Sequence, residues 1–194
     1  MPRPKAFDRD DALRRAIPVF WAKGYGATST DDLVQAMGIG RQSLYDTFGD
    51  KHRLFLEALR VYNTESVGAT LKKLRAGPSS LAAIEAVLVE MAEEREARRA
   101  LGCLGVNSIC ELGKEDADVR ALSATSGAFL ESGLESAVEE GQARGEIKAS
   151  LSPRAAARFL AATLSGMKVQ AKAGASAEVL RDVASFAVAS LRAG

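Results

Sequence analysis

Two cysteines, one histidine and one tryptophan in 194 residues leave little material for several kinds of chemistry. The single His52 offers one base for Ser–His or Cys–His catalysis, far in sequence from Cys103. Cys103 and Cys110, spaced i, i+7, match no common zinc arrangement, so neither a metal site nor a cofactor is expected. Charge of one sign is also missing: 26 Lys and Arg stand against 25 Asp and Glu, for a formal charge of +1. That excludes a polybasic chain holding nucleic acid by bulk electrostatics, and any such site must be local. No apolar run approaches the roughly 18 residues of a membrane span. The start, Met1-Pro-Arg-Pro-Lys-Ala-Phe7, has charge but no apolar segment behind it, unlike a signal peptide. The expected location is cytoplasmic, with reduced thiols and no disulfide framework.

What is present is apolar and periodic. Hydrophobic residues make up 47% of the chain, enough for a real core in one domain or two small ones. Apolar positions recur at i, i+3, i+4 and i+7, and strict alternation is absent, so the chain reads as all-α with about nine helices. Asp8 caps the first, with Ala12, Leu13, Ala16, Ile17 and Phe20 on one face and Gly24 at its end; Pro18 should kink it or locally open it. Ser29-Thr-Asp-Asp32 reads as a capping box for a short helix over about 30–37, and Gly38-Ile39-Gly40 as a tight turn. Arg41–Phe48 forms another short helix, and Asp50 caps a fourth running toward Leu74. Gly77-Pro78-Ser79-Ser80 is the clearest break. Beyond it the pattern predicts helices near 80–98, 101–112, 117–143, 153–173 and 176–192. The expected division is a helix-turn-helix domain over 1–52, a connecting fourth helix over about 51–75, and a regulatory and dimerisation domain over 76–194.

Two short helices about a glycine turn have the spacing of a helix-turn-helix, whose second helix lies in the DNA major groove. Arg41 and Gln42 suit bidentate contacts to base edges, while Ser43, Tyr45 and Lys51 suit phosphates. Leu33, Val34, Met37, Ile39 and Leu44 would hold the two helices at a fixed angle. Residues 1–53 carry nine Lys and Arg against seven Asp, a small local excess. A three-helix module without a DNA role has the same spacing.

Residues 16–59 resemble the DNA-binding domain of the TetR family of transcriptional repressors. The resemblance rests on Phe20, Gly24-Tyr25, Thr28-Ser29, Gly38-Ile39, the run Leu44-Tyr45-Asp46-Thr47-Phe48-Gly49-Asp50-Lys51, and Leu54-Phe55. It implies that Thr28, Tyr45 and Lys51 contact phosphates and that Arg41, Gln42 and Ser43 face the bases, with Ser29 a further DNA-binding candidate. Arg3 and Lys5 are either an arm reaching a nearby groove or solvated charge. The resemblance further implies a cytoplasmic homodimer on a palindromic double-stranded operator, released by an inducer bound in the C-terminal domain. Its dimer interface would be four helices, here about 153–192, through Phe159, Leu160, Thr163, Leu164, Met167, Leu180, Val183, Phe186, Ala187 and Leu191. The same residues also suit the core of a single chain.

Gly102-Cys103-Leu104, Val106 and Gly166-Met-Lys-Val-Gln-Ala-Lys172 resemble pieces of the NemR-like cysteine sensors of that family. By that resemblance Cys103 and a partner Lys172 would meet an oxidant or electrophile. From the residues themselves, a thiol near a helix start and a lysine is poised toward thiolate. Cys110, seven residues on and on the same helix face, would lie about 10 Å away at ~1.5 Å per residue. That exceeds the roughly 7 Å limit for an intramolecular disulfide. Two core thiols are the alternative reading. Leu104, Asn107, Ile109, Phe129, Leu130, Leu134, Phe159 and Met167 suggest a mostly hydrophobic pocket in which Asn107 or Ser108 orients a small apolar ligand. Core packing accounts for the same pattern.

Rival classes are weaker. Gly24-Tyr-Gly26 and Gly38-Ile-Gly40 follow no strand and lead to no Gly-Lys-Ser/Thr, so neither is a phosphate loop. Glu90, Glu93, Glu94 and Glu96 interleave with Arg95, Arg98 and Arg99, as on a solvated helix face. An enzyme is not expected. A constitutive DNA-binding protein without a responsive site is the remaining alternative.

Overall fold

The computed structural model describes residues 7–194, so the basic pair Arg3 and Lys5 lies outside the described residues. Ten helices and no strand occur among the described residues; a single bridge joins Ile147 to Arg192. The helices are α1 (Arg9–Ala27), α2 (Thr30–Met37), α3 (Arg41–Phe48), α4 (Lys51–Leu74), α5 (Ser80–Glu93), α6 (Glu96–Arg99), α7 (Leu104–Leu112), α8 (Ala117–Ala143), α9 (Pro153–Lys172) and α10 (Ala177–Leu191). Most starts carry the residue that satisfies their free N–H groups. Asp8, Ser29, Asp50, Ser79, Asp116, Ser152 and Ser176 each accept a backbone N–H with the side chain. At α2 the box is reciprocal: Ser29 Oγ accepts from Asp32 N, and Asp32 Oδ2 accepts from Ser29 N. The hydrogen bond from Lys23, together with those from Ser29, holds the Asp32 carboxyl down at a pKa of about 2.

Three local expectations are corrected. Pro18 does not open α1: its dihedrals stay helical, and it is exposed, where a missing N–H is tolerated. The break falls instead at Gly24, with φ 80° and ψ 175°, after which the chain resumes a helical turn to Ala27. The helix expected over 80–98 divides, because Glu94 and Arg95 are extended (ψ 150° and 142°). Arg99 turns back there and donates Nη1 to the carbonyls of Ala92 and Glu94, serving the end of α5. The helix expected from 101 starts at Leu104, since Gly102 has φ 62° and Cys103 is an extended N-cap. The heptad count between the two cysteines therefore does not put them on one face: Cys103 is buried and Cys110 exposed, both as free thiols.

Two apolar clusters organise the chain. One gathers Leu13, Phe20, Leu33, Leu44, Phe48, Leu54, Phe55 and Leu59 around an edge-to-face pair of Phe20 and Phe55, with ring centroids 5.1 Å apart. Leu104 of α7 and Val119 of α8 also belong to it, so the second half of the chain packs directly on the first. The other cluster is built from α5, α8, α9 and α10, with Ile84, Leu88, Leu134, Leu160, Leu180 and Leu191 at its centre.

The residues expected at a dimer interface are thereby divided. Leu160, Leu164, Met167, Leu180, Ala187 and Leu191 are buried within their own chain. Phe159 on α9 and Val179, Val183 and Phe186 on α10 are exposed, Phe186 at 75%. On α10 they follow i, i+4, i+7, one stripe of the helix facing away from the core.

Candidate nucleic-acid interface and effector cavity

The helix-turn-helix is set by small-scale packing. Leu33 and Met37 of α2 bury against Leu44 and Phe48 of α3, and Gly38 takes the left-handed conformation (φ 68°) that the turn requires. With Leu44 and Phe48 inward, α3 presents Arg41, Gln42 and Tyr45 to solvent, with Ser43 half-buried beside them. Two of these exposed side chains are held by acids of their own domain. Arg41 Nη2 donates to Asp31 Oδ1 at 2.6 Å, and Gln42 Nε2 to Asp46 Oδ1 at 2.8 Å. Exposed pairs of this kind are weak, so both side chains are free to take other partners at little cost.

The other sequence-selected residues hold the turn that leads into the motif. Thr28 is buried, and its hydroxyl donates to Gly24 O at 2.5 Å, so it locks the break in α1 rather than facing outward. Ser29 is the exposed cap of α2. Lys51, at the first turn of α4, donates Nζ to the carbonyls of Tyr25 (3.0 Å) and Thr28 (2.9 Å) and lies 4.3 Å from the centre of the Tyr25 ring. Next to it, His52 Nε2 is 2.6 Å from Asp116 Oδ2, tying α4 to the cap of α8. Burial works to raise the Asp116 pKa, but the Val119 N–H and the His52 ring outweigh it and leave the carboxyl below its ordinary value.

The second site is a cavity of about 430 Å³ between the two halves of the chain, walled by α1, α4, α5, the α6–α7 segment, α8 and α9. Its expected apolar character is corrected. Glu65, Lys73, Glu90, Glu94, Arg98, Arg99 and Lys168 line it together with Trp21, Tyr62, Met91, Cys103, Leu130 and Leu164. Lys73 pairs with Glu90, and the Arg98 guanidinium lies 3.6 Å from the centre of the Trp21 ring. Trp21 Nε1 is buried without a hydrogen-bond partner among the described residues. The Tyr62 ring meets Trp21 edge-on at 4.8 Å. Burial, reinforced by Cys103, pushes the Tyr62 hydroxyl above its usual pKa.

Of the effector candidates read from sequence, the cavity takes Cys103 and Leu130. Asn107 donates to Leu101 O and Ser108 to Leu104 O, both serving the start of α7. Met167 is core, Cys110 faces solvent, and Phe129 and Phe159 are exposed. Lys172 packs its stem at Gly102, with Cβ 3.2 Å from where a glycine Cβ would stand, while Lys168, one turn earlier, reaches the cavity wall. Lys168, Arg98, Tyr62 and Trp21 escape a sequence reading because they come from four separate helices or turns. Arg98 stood inside the mixed charge run and Lys168 inside the Gly166–Lys172 run, but neither pattern pointed to the cavity.

Two short helices about a glycine turn, joined to a helical second half with a cavity between the two parts, define a regulatory DNA-binding protein of the helix-turn-helix class. Residues 12–58 match the family of bacterial regulatory proteins named for tetR, and residues 77–187 match the tetracyclin repressor-like C-terminal domain. The chain belongs to the TetR family, whose members are DNA-binding regulators and not enzymes. It is 33% identical to the HTH-type transcriptional repressor ComR of Escherichia coli (strain K12), over 94% of this chain and 88% of that one. Among solved structures it is similar to the TetR family regulator CifR, a cysteine mutant complexed with a 26-base-pair operator, at 33% identity and TM-score 0.82, covering 96% and 98% of the two chains. Reduced NemR of E. coli has TM-score 0.84 at 19% identity over 95% and 97%, which shows a shared fold. No helix among the described residues is long and apolar enough to cross a membrane.

Proposed function

We propose that the protein is a cytoplasmic, homodimeric repressor that binds a palindromic operator through Arg41–Phe48 and is released by a small molecule or thiol-reactive compound acting at the cavity. The observation that carries this reading is the face of α3: Leu44 and Phe48 anchor it, and Arg41, Gln42 and Tyr45 are presented together. The operator complex of CifR and the repressor name of ComR support it. The exposed stripe Val179, Val183 and Phe186, with Phe159, supports a dimer through α9 and α10. Two copies then present two recognition helices to two half-sites. Arg3 and Lys5 form an arm toward a nearby groove in this reading, and the domains divide at 1–52 and 76–194.

The test is operator affinity, by fluorescence anisotropy with DNA from upstream of the protein's own gene at fixed salt. Arg41→Ala is expected to weaken binding about ten- to a hundred-fold and to relax preference at one base pair of each half-site. Affinity within two-fold of wild type would remove α3 as the reading helix.

Cys103, in the wall of the charged cavity and beside Tyr62, is the proposed responsive thiol. Alkylation by N-ethylmaleimide should lower operator affinity about ten-fold or more in wild type and leave Cys103→Ser unaffected. A response that persists in Cys103→Ser moves the chemistry to exposed Cys110. Tight binding that ignores the reagent in wild type makes Cys103 a packing residue and favours a polar, non-covalent effector.

A further inference from the structure

Gly24 and Gly26, which begin no phosphate loop, surround an anion of the protein's own. After the break at Gly24, Tyr25 N donates to Glu111 Oε2 at 3.0 Å and Gly26 N donates to Glu111 Oε1 at 2.7 Å. Successive backbone N–H groups of this kind form a nest for a negative group. Both glycines admit the carboxylate: a Cβ at 24 would stand 2.8 Å from Oε2, and one at 26 would stand 3.1 Å from Oε1. Gly24 also needs its positive φ.

The same segment is gripped from its carbonyl side by Lys51, and Thr28 Oγ1 closes it onto Gly24 O. Residues 24–28 are thus a strap between a carboxylate of α7 and an ammonium of α4, and the next residue, Ser29, caps α2. Glu111 stands near the end of α7, a helix of nine residues whose N-cap is Cys103 at the cavity wall. At ~1.5 Å per residue the helix is a rod about 13 Å long with the cavity at one end and the strap at the other.

We propose that Glu111, seated in the backbone nest of Gly24, Tyr25 and Gly26, is the positioning residue through which the second half of the chain holds the helix-turn-helix in its operator-binding geometry. This rests on the operator-binding reading above. Glu111 acts on DNA through the strap. While its carboxylate fills the nest, α2 starts from a fixed point and carries α3 with it. A shift of α7 at its Cys103 end withdraws the carboxylate, and two N–H groups lose a charge-assisted partner.

The experiment compares full-length wild type, Glu111→Ala and Glu111→Gln. Operator affinity is measured over a range of salt, and exchange of the Tyr25 and Gly26 amides is followed by NMR. Glu111→Ala should bind about ten-fold more weakly, with faster exchange of both amides and unchanged helicity at the assay temperature. Glu111→Gln, whose single amide oxygen still accepts, should lose less. The salt slope should stay that of wild type, because no phosphate contact is removed. If Glu111→Ala fails to fold, Glu111→Gln carries the same comparison. Affinity within two-fold of a tightly binding wild type, or unchanged amide exchange, overturns the proposal. A wild type that binds no upstream DNA counts against the repressor reading, and the amides alone then decide whether the clamp exists.

Discussion

Phe186→Asp is expected to halve the mass of the protein in solution and to weaken operator binding by about a hundred-fold or more. Phe186 is 75% exposed and lies in line with Val179 and Val183 on α10, with Phe159 exposed on the neighbouring α9. A chain that kept these side chains in water would gain nothing from them, whereas a second copy placed on the same face buries all of them twice by symmetry. A carboxylate at 186 would then be carried into an apolar contact, at a desolvation cost of several kcal/mol for an unpaired charge. The single chain should be untouched, because Phe186 contributes nothing to its own core. Light scattering and circular dichroism separate the two effects: a monomer with unchanged helicity is the expected result. A wild type that is already monomeric, or a Phe186→Asp dimer, would take the interface away from α10.

Phe20→Ala should cost about 3–5 kcal/mol, the range for removing a buried phenylalanine. Phe20 is fully buried in α1, and its edge-to-face partner Phe55 belongs to α4, so the pair joins the first helix to the one that connects both halves. The cavity left behind is walled by rigid helices and cannot collapse far. For a chain of this size the melting midpoint should fall by roughly 10 °C. The damage should concentrate in the N-terminal cluster, since the cluster of α5, α8, α9 and α10 contains neither ring. Operator binding would be lost before overall helicity. A fall of less than about 1 kcal/mol in denaturant stability would mean that Phe20 is not the centre of that core.

Local chemistry was the legible part of this protein. Asp8, Ser29, Asp50 and Gly38 announce helix ends because a cap or a left-handed turn is satisfied within three or four residues. The helices at 30–37 and 41–48 could therefore be read directly. Where the ends rested on backbone conformations that apolar periodicity does not report, the reading slipped: Glu94 and Arg95 turn extended and split a helix that periodicity continues, and the positive φ of Gly102 delays α7 past Cys103.

The effector side shows the same boundary more sharply. Periodicity marks Phe129, Phe159, Met167 and Leu134 equally as apolar, yet they end in solvent, in solvent, in the core and in the core. A cavity wall is made of the parts of several helices that fail to meet, and no spacing within one helix encodes that. Trp21, Tyr62, Arg98 and Lys168 converge only because α1, α4, α6 and α9 pack around one gap.

By itself the sequence determined most of the helices, their caps, the exposed face of α3 and the membership of the TetR family, all of which rest on contacts between near neighbours in the chain. Tertiary structure alone decided that the cavity is charged, that Thr28 turns inward, that Phe186 faces out while Leu180 faces in, and that Glu111 reaches back 86 residues to the Tyr25 N–H. Those depend on the angle at which one helix crosses another, a property of packed volumes that no single stretch of residues carries.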